Sequence, residues 1–77
     1  MTLVLLAEDD PTISEPLARA LRREGYEVTV VEDGVAAVEA ARGAPDLLVL
    51  DLGLPGMDGL DVCRRVRAEG LTVPVLI

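Results

Sequence analysis

The stretch LLVLDLGLPGMDGLDVCRRVR, residues 47–67, contains a short apolar run that ends on a carboxylate. Leu47 to Leu50 has the continuous apolar character of a strand buried on both faces of a parallel sheet. Asp51 follows directly, and a loop of Leu, Gly, Pro, Met and Asp separates it from a segment with helical spacing. An ionised carboxylate at the end of a buried strand is costly unless a nearby group needs its charge. The rest of the sequence must supply that group, or Asp51 is only a turn residue.

Four short apolar runs predict four strands, and the segments between them have helical spacing. The runs are close to continuously apolar, as strands buried on both faces should be. They cover Thr2–Ala7, Val28–Val31, Asp46–Leu50 and Val73–Ile77. The apolar stripes between them are Ile13, Leu17 and Leu21, then Val35, Val38 and Ala41, and then Leu60, Cys63 and Val66. The order β-α-β-α-β-α-β predicts an α/β fold with a parallel sheet and right-handed crossovers.

Residues typical of helix ends support this division. Asp10 followed by Pro11 predicts an N-cap with proline at the first helical position. Pro16 complicates this helix, because a proline in a helix interior loses a hydrogen bond and costs about 3 kcal/mol. A helix that begins late, with Ser14 as its cap, is the alternative. Asp58 is the expected N-cap of the third helix. The predicted left-handed caps at the helix C-termini are Gly25, Gly43 and Gly70.

Composition limits the chain to one small domain and excludes several kinds of site. The 77 residues are 51% hydrophobic with a net charge of −7, so this segment would repel nucleic acid and anionic membranes. The absence of histidine excludes His-based acid–base chemistry and most zinc sites. No glycine-rich loop for a nucleotide follows the first strand. Cys63 is the single cysteine, which excludes an internal disulfide. The N-terminus has neither a signal-peptide nor a membrane-span pattern. We therefore expect a cytoplasmic protein.

Carboxylates follow two of the predicted strands. Glu8, Asp9 and Asp10 come directly after the first strand, and Asp51 comes after the third. Parallel strands end at one edge of a sheet, so Glu8, Asp9 and Asp51 converge if these two strands are neighbours. Carboxylates about 4 Å apart repel by roughly 4 kcal/mol at an effective dielectric constant near 20. Hard oxygen ligands of this kind are those that Mg²⁺ prefers.

A magnesium ion shared by Asp9 and Asp51 would explain why a buried strand ends on a carboxylate. Gly53 leaves its backbone carbonyl accessible as another oxygen ligand, and the free oxygen of Asp51 is a candidate nucleophile toward a phosphoryl group. The alternative is that the acidic residues at the two strand ends are helix caps and turn formers. We interpret Asp10 as such a cap rather than as a metal ligand. An aspartyl phosphohydrolase is disfavoured, because Gly53 stands where a second acid would protonate the leaving group.

Three stretches of the chain closely resemble the receiver domain of two-component response regulators. They are VLLAEDDP near the start, GYEVTVVEDGVAAVEAA in the middle, and PDLLVLDLGLPGMDGLDVCRRVR around Asp51. The resemblance implies a flavodoxin-like parallel sheet with flanking helices and strand order 2-1-3-4. A receiver is longer than this chain, so the fifth strand and last two helices would be missing. Residues 1–77 are accordingly expected to be the N-terminal portion of a single receiver domain.

The same resemblance implies functional roles for the acidic residues. Asp51 matches the aspartate that accepts a phosphoryl group from the phosphohistidine of a sensor histidine kinase, in the presence of Mg²⁺. Asp9 and Asp51 match direct metal ligands, with the carbonyl of Gly53 as a third, and Glu8 matches a contact made through water. Pro55 and Gly59 would shape the loop that flanks the site.

Two interpretations of the whole chain remain open. In the first, it is a signalling receiver rather than an enzyme, and it controls an output such as transcription through a winged-helix DNA-binding domain outside these residues. In the second, it is a truncated receiver that cannot be phosphorylated and acts only by association, as a homodimer or a domain-swapped pair. The second arises because the family's switch Ser or Thr and its lysine are missing, and no lysine occurs anywhere in this sequence.

Overall fold

The computed structural model describes residues 1–77 and contains all seven predicted elements in the predicted order. Their bounds are β1 Leu3–Ala7, α1 Pro11–Arg23, β2 Glu27–Val31, α2 Gly34–Ala41, β3 Leu47–Leu50, α3 Gly59–Ala68 and β4 Val75–Leu76. The fourth strand is shorter than the predicted Val73–Ile77, because Pro74 has no N–H to donate to a neighbouring strand. The longest helix has 13 residues, and none has the length and apolar character needed to cross a membrane.

The four strands form one parallel sheet in the order β2-β1-β3-β4, which confirms the predicted order. Leu5 on β1 lies opposite Thr29 on one side and Leu48 on the other. Asp46 fixes the register of the central pair, because its N–H donates to the Leu3 carbonyl at 2.8 Å and its carboxylate accepts from the Leu3 N–H at 2.7 Å. The adjacent C-terminal ends of β1 and β3 therefore bring together the residues that follow these strands.

The main core lies between the sheet and the helices α2 and α3. Leu5 and Leu48 point into it from the sheet, and Val62 and Val66 of α3 are completely buried against them. Helix α1 packs on the opposite face over β2 and buries Ala18. That helix covers only half of its face, so the apolar side chains beside β3 and β4 stay partly exposed.

The buried faces of the helices differ from the predicted stripes. Helix α2 buries Ala37, Val38 and Ala41, but Val35 is 50% exposed. Helix α3 buries Gly59, Val62 and Val66, whereas Leu60 is 52% exposed. On α1 the buried residues are Ser14 and Ala18, and Ile13 and Leu17 are exposed. The stripes are wrong at Val35 and Leu60 because the glycines before them make the close contacts, Gly34 with Met57 and Gly59 with Leu52. Ile13 and Leu17 line an apolar cleft with Val49 and Leu50, and they stay exposed because no element covers that part of the sheet.

Helix α1 begins at Pro11, and the structure decides between its two predicted starts. The Asp10 carboxylate accepts hydrogen bonds from the Thr12 N–H at 2.9 Å and the Thr12 hydroxyl at 2.7 Å, which confirms Asp10 as the N-cap. The late start is wrong, because Ser14 lies buried within the helix. Pro16 sits inside the helix on its exposed side.

Two of the three predicted glycine caps are confirmed. Gly25 has φ +95° and Gly70 has φ +78°, the left-handed conformation that glycine adopts at low cost. The prediction for Gly43 is wrong, because Ala44 takes the left-handed conformation after α2, with φ +57°. The helical turn continues past Ala41 through hydrogen bonds from the Gly43 and Ala44 N–H groups to the carbonyls three residues before them, so the chain reverses one residue later.

Glu69 links the C-terminal ends of α2 and α3 through two arginines. Arg42 donates to both oxygens of the Glu69 carboxylate, at 2.8 and 2.7 Å, and Arg65 donates to one of them at 3.0 Å. These hydrogen bonds, that from Arg42 above all, lower the pKa of Glu69 from its usual 4.5 to about 2. Because the folded-state pKa is lowered, the carboxylate stabilises the fold fully above about pH 4.5 and loses this effect as the pH falls toward 2.

We expect Glu69→Gln to flatten the acid side of the pH–stability curve. The variant should be less stable than the wild type at pH 7 and should lose less stability between pH 5 and about pH 2, since it has no carboxylate there to protonate. Urea unfolding midpoints over this range measure the difference. Glu15→Gln is the control, because Glu15 is exposed on α1 and takes part in no ion pair. Parallel curves for the wild type and Glu69→Gln would contradict the assignment.

Candidate functional site

The predicted acidic residues meet at the C-terminal edge of the sheet. Ala7 and Leu50 are register partners at the ends of β1 and β3, and the Asp51 N–H donates to the Ala7 carbonyl at 3.1 Å. This pairing places Glu8 and Asp9 beside Asp51. One carboxylate oxygen from each of the three lies within 4.8 Å of the others. The convergence expected from the sequence is therefore present.

Glu8 is the buried member of this cluster, with 8% of its surface exposed. Burial is the main reason that its pKa is raised above the usual value, and the negative charge of Asp51 and hydrogen bonding with Asp9 and Asp51 raise it further. The Asp10 N–H donates to Glu8 Oε2 at 3.2 Å and acts in the opposite direction. Glu8 thus carries a carboxylate whose charge is unfavourable in this environment unless a cation is near.

Asp51 is half-buried, and its two oxygens have different surroundings. Oδ1 accepts a hydrogen bond from the Gly53 N–H at 3.2 Å, whereas no backbone N–H donates to Oδ2. A Cβ at Gly53 would lie 3.9 Å from both Asp51 oxygens, so this backbone runs directly alongside the carboxylate. One oxygen is therefore oriented by the loop and the other is open to a ligand or reactant.

No cationic side chain of the protein neutralises the cluster. The ion pairs of the chain are Arg42–Glu69, Arg65–Glu69 and Arg64–Asp61, all made by residues of α3 or by the residues that cap the C-terminal ends of α2 and α3. Three carboxylates within 4.8 Å of one another offer only hard oxygen donors, the set that suits a small divalent cation such as Mg²⁺. The residues present fit that metal.

The loop that follows Asp51 is held from both sides. Leu54 is buried in the core and anchors its middle. The Pro55 carbonyl accepts a hydrogen bond from the Gly34 N–H at 3.0 Å, and a Cβ at Gly59 would lie only 2.7 Å from Leu52 Cα. The sequence indicated Pro55 and Gly59 as residues that shape the loop but missed Leu54 and Gly34. Gly34 could have been found from its position, because it directly follows Asp33, the N-cap of α2.

Asp10 is not part of the cluster, as predicted, because its carboxylate caps α1. A cleft of about 700 Å³ opens beside Asp9, between the loop after Asp51 and the first turn of α2. Four of its eight lining residues are acidic, namely Asp9, Glu32, Asp33 and Glu39. A reactant that approaches Asp51 from this side therefore meets a strongly negative entrance.

Comparison with known proteins identifies the family. Residues 4–77 match the response regulator receiver domain. The chain belongs to this family. Among curated relatives, it is 51% identical over 78 residues to the sensory transduction protein RegX3 of Mycobacterium tuberculosis and 47% identical over 75 residues to the DNA-binding response regulator MtrA of Mycolicibacterium smegmatis. These matches cover 100% and 96% of this chain but only 34% and 32% of the relatives, so the receiver chain spans about a third of their length.

Solved receiver structures share the fold. The receiver domain of the sensor histidine kinase PA1611 from Pseudomonas aeruginosa, which has a magnesium ion coordinated in its active-site cleft, aligns with a TM-score of 0.90 and 39% identity. The alignment covers 96% of this receiver chain and 63% of that one. The response regulator TrrA of Thermotoga maritima, in complex with the histidine kinase ThkA, aligns with a TM-score of 0.86 and 34% identity over 97% of this chain and 66% of the solved one. The flavodoxin-like receiver fold predicted from the sequence is confirmed.

Proposed function

We propose that this receiver accepts a phosphoryl group on Asp51 from the phosphohistidine of a sensor histidine kinase. The observation that carries the proposal is the uncompensated cluster of Glu8, Asp9 and Asp51, whose oxygens lie within 4.8 Å of one another. A negative cluster that the protein leaves without a cation suits a metal-assisted phosphoryl transfer. The complex of TrrA with the histidine kinase ThkA supports a histidine kinase as the phosphoryl donor.

In the proposed transfer, Oδ2 of Asp51 attacks phosphorus. A new P–O bond forms, the P–N bond of phosphohistidine breaks, and its electron pair goes to the imidazole nitrogen, which takes up a proton. The product is an aspartyl phosphate on Asp51 and a histidine on the kinase. The Gly53 N–H holds Oδ1 at 3.2 Å, so the carboxylate presents Oδ2 in a fixed direction.

Asp9 and Asp51 would hold Mg²⁺ directly, with the backbone carbonyl of Gly53, and Glu8 would contact it through water. When bound, Mg²⁺ neutralises charge on the phosphoryl oxygens. Glu8 also fixes the backbone next to Asp9, because its buried carboxylate accepts a hydrogen bond from the Asp10 N–H.

The test is phosphoryl transfer to the intact chain. Incubation with acetyl phosphate and Mg²⁺ should raise the intact mass by one phosphoryl group, and removal of Mg²⁺ by EDTA should prevent the increase. A mass that stays constant with Mg²⁺ and donor present would contradict the proposed function.

The proposal extends to the protein of which this receiver is a part. We infer that phosphorylation of Asp51 controls transcription through a DNA-binding domain outside these residues, as the name of MtrA suggests for that relative. The chain then acts as a signalling acceptor rather than as an enzyme. A cytoplasmic location is part of the proposal, since a chain with one cysteine has no internal disulfide, as is usual for cytoplasmic proteins.

A second candidate function, association through an apolar face, is favoured by the half-covered side of the sheet. A cavity of about 550 Å³ lies between α1 and β4, lined by Leu17, Leu21, Val49 and Leu76 among others. Leu76 is 58% exposed there. Large apolar patches of this kind favour contact with another chain, as a homodimer or a swapped pair.

If this face associates, Leu76→Glu should convert the purified chain from a self-associating species to a monomer in sedimentation velocity. Leu60→Glu is the matched control, because Leu60 is 52% exposed on α3, away from that face, and its substitution should leave the association unchanged. A wild-type chain that sediments as a monomer at every concentration would contradict this second function.

A further inference from the structure

The loop of residues 52–58, here called the acceptor loop, connects Asp51 to α3. Apart from bonds to Asp51 and within the loop and α3, it makes a single hydrogen bond, from the Gly34 N–H of α2 to the Pro55 carbonyl at 3.0 Å. Gly34 is the first residue of α2, and its N–H has no partner within its own helix. One donor on α2 therefore supports the middle of the acceptor loop, together with the buried side chain of Leu54.

Gly34 has no room for a side chain. A Cβ at this position would overlap the Met57 carbonyl oxygen and would lie 2.6 Å from Met57 Cβ and 2.7 Å from its carbonyl carbon, whereas ordinary contact begins at 3.4 Å. Gly34 does not have a positive φ, so space rather than backbone conformation requires glycine. Two of the three overlapping atoms are backbone atoms, which move only if the acceptor loop moves.

The helix side of this contact is the more firmly held. Asp33 Oδ1 accepts from the Ala36 N–H at 2.7 Å and fixes the first turn of α2. Ala37 and Val38 follow, and both are buried in the main core. A clash at Gly34 would therefore displace the Pro55–Met57 segment, which lies beyond the buried Leu54, rather than α2.

Gly59, the residue that follows the acceptor loop, lies against Asp51 and the first residue of the loop. A Cβ at Gly59 would lie 2.7 Å from Leu52 Cα and 2.9 Å from the Asp51 carbonyl oxygen. Gly53, which orients the Asp51 carboxylate, lies between this contact and the one at Gly34. Only Leu54 separates Gly53 from Pro55, so displacement of the Pro55–Met57 segment is transmitted to Gly53 through Leu54.

We propose that Gly34 is a positioning residue for the acceptor loop: its bare backbone and its N–H fix the Pro55–Met57 segment and so place Gly53 beside the Asp51 carboxylate. The inference rests on the proposed function and deepens it, because it assigns the geometry of the Asp51 site to a residue on a different helix. Gly34 touches neither Asp51 nor the other carboxylates and acts through the loop alone.

Gly34→Ala tests the proposal in the full chain. We expect it to weaken Mg²⁺ binding, measured by titration calorimetry, by roughly 10- to 100-fold and to slow phosphorylation by acetyl phosphate to a similar extent, as displaced supporting groups do at other metal and active sites. The amide resonance of Gly53 should shift as well. Gly43→Ala, two residues after the end of α2, is the matched control, because the added Cβ meets only the Ala40 carbonyl oxygen at 3.2 Å; it should change neither quantity.

A backbone ester at Gly34 separates positioning from a general loss of stability. The ester removes the N–H that donates to Pro55 without adding a Cβ, and we expect Mg²⁺ affinity to fall roughly fivefold. If Gly34→Ala does not fold, the ester variant tests the positioning role of Gly34 by itself. A folded Gly34→Ala or ester variant with wild-type Mg²⁺ affinity and an unshifted Gly53 resonance would overturn the proposal. Absent Mg²⁺ binding in the wild type would instead overturn the proposed function on which it rests.

Discussion

Asp51→Asn should abolish phosphorylation of the chain by acetyl phosphate, with no phosphoryl group detected by intact mass. The amide nitrogen and oxygen of asparagine are far weaker nucleophiles than a carboxylate oxygen, and the substitution removes one of the three charges that would hold Mg²⁺. Asparagine fits the same space and keeps an oxygen that accepts from the Gly53 N–H, so the fold should be preserved. The loss is therefore expected to be chemical rather than structural.

Asp10→Asn is the matched control for this experiment. Asp10 is an acidic neighbour of the cluster that caps α1, and asparagine is an equally good N-cap. The control should be phosphorylated as the wild type is. Phosphorylation of Asp51→Asn at the wild-type rate would place the acceptor on another residue.

Magnesium should raise the melting temperature of the wild-type chain. A ligand present at 100 times its dissociation constant stabilises the folded state by about 2.7 kcal/mol. For a domain of this size, each kcal/mol corresponds to roughly 4–8 °C, so a shift on the order of 10–20 °C is expected. Thermal unfolding followed by circular dichroism, with MgCl₂ against the same ionic strength of NaCl, measures it.

The same measurement on Asp51→Asn should reverse the order of stabilities. Without Mg²⁺, the variant should melt above the wild type, because it relieves repulsion with Asp9 and the buried Glu8. With Mg²⁺, the wild type should melt above the variant, which has lost a ligand. An equal response of both proteins to Mg²⁺ would show that the ion binds elsewhere.

Much of this structure follows from local sequence patterns. The continuous apolar runs predicted all four strands, and the parallel order followed from the alternation with helices. The carboxylates at the ends of β1 and β3 could be placed together because parallel strands end at a common edge. Asp10 and Asp58 were identified as N-caps because capping depends on residues close in sequence.

Features that depend on tertiary packing were not predicted. The buried face of α3 centres on Gly59, Val62 and Val66 rather than on the larger Leu60, because Gly59 packs directly against the Leu52 backbone, where no side chain fits. The support that Gly34 gives to the acceptor loop joins residues that are distant in sequence. No local period or capping motif encodes such a contact.

Identification of the phosphorylated residue tests the central claim most directly. Borohydride reduction converts an aspartyl phosphate to homoserine, which peptide mass spectrometry can locate along the chain. After treatment with acetyl phosphate and Mg²⁺, we predict homoserine at position 51 alone, and none when EDTA is present. Homoserine at position 9 or elsewhere, or unmodified Asp51 in a protein that has gained a phosphoryl group, would contradict the assignment of Asp51 as the acceptor.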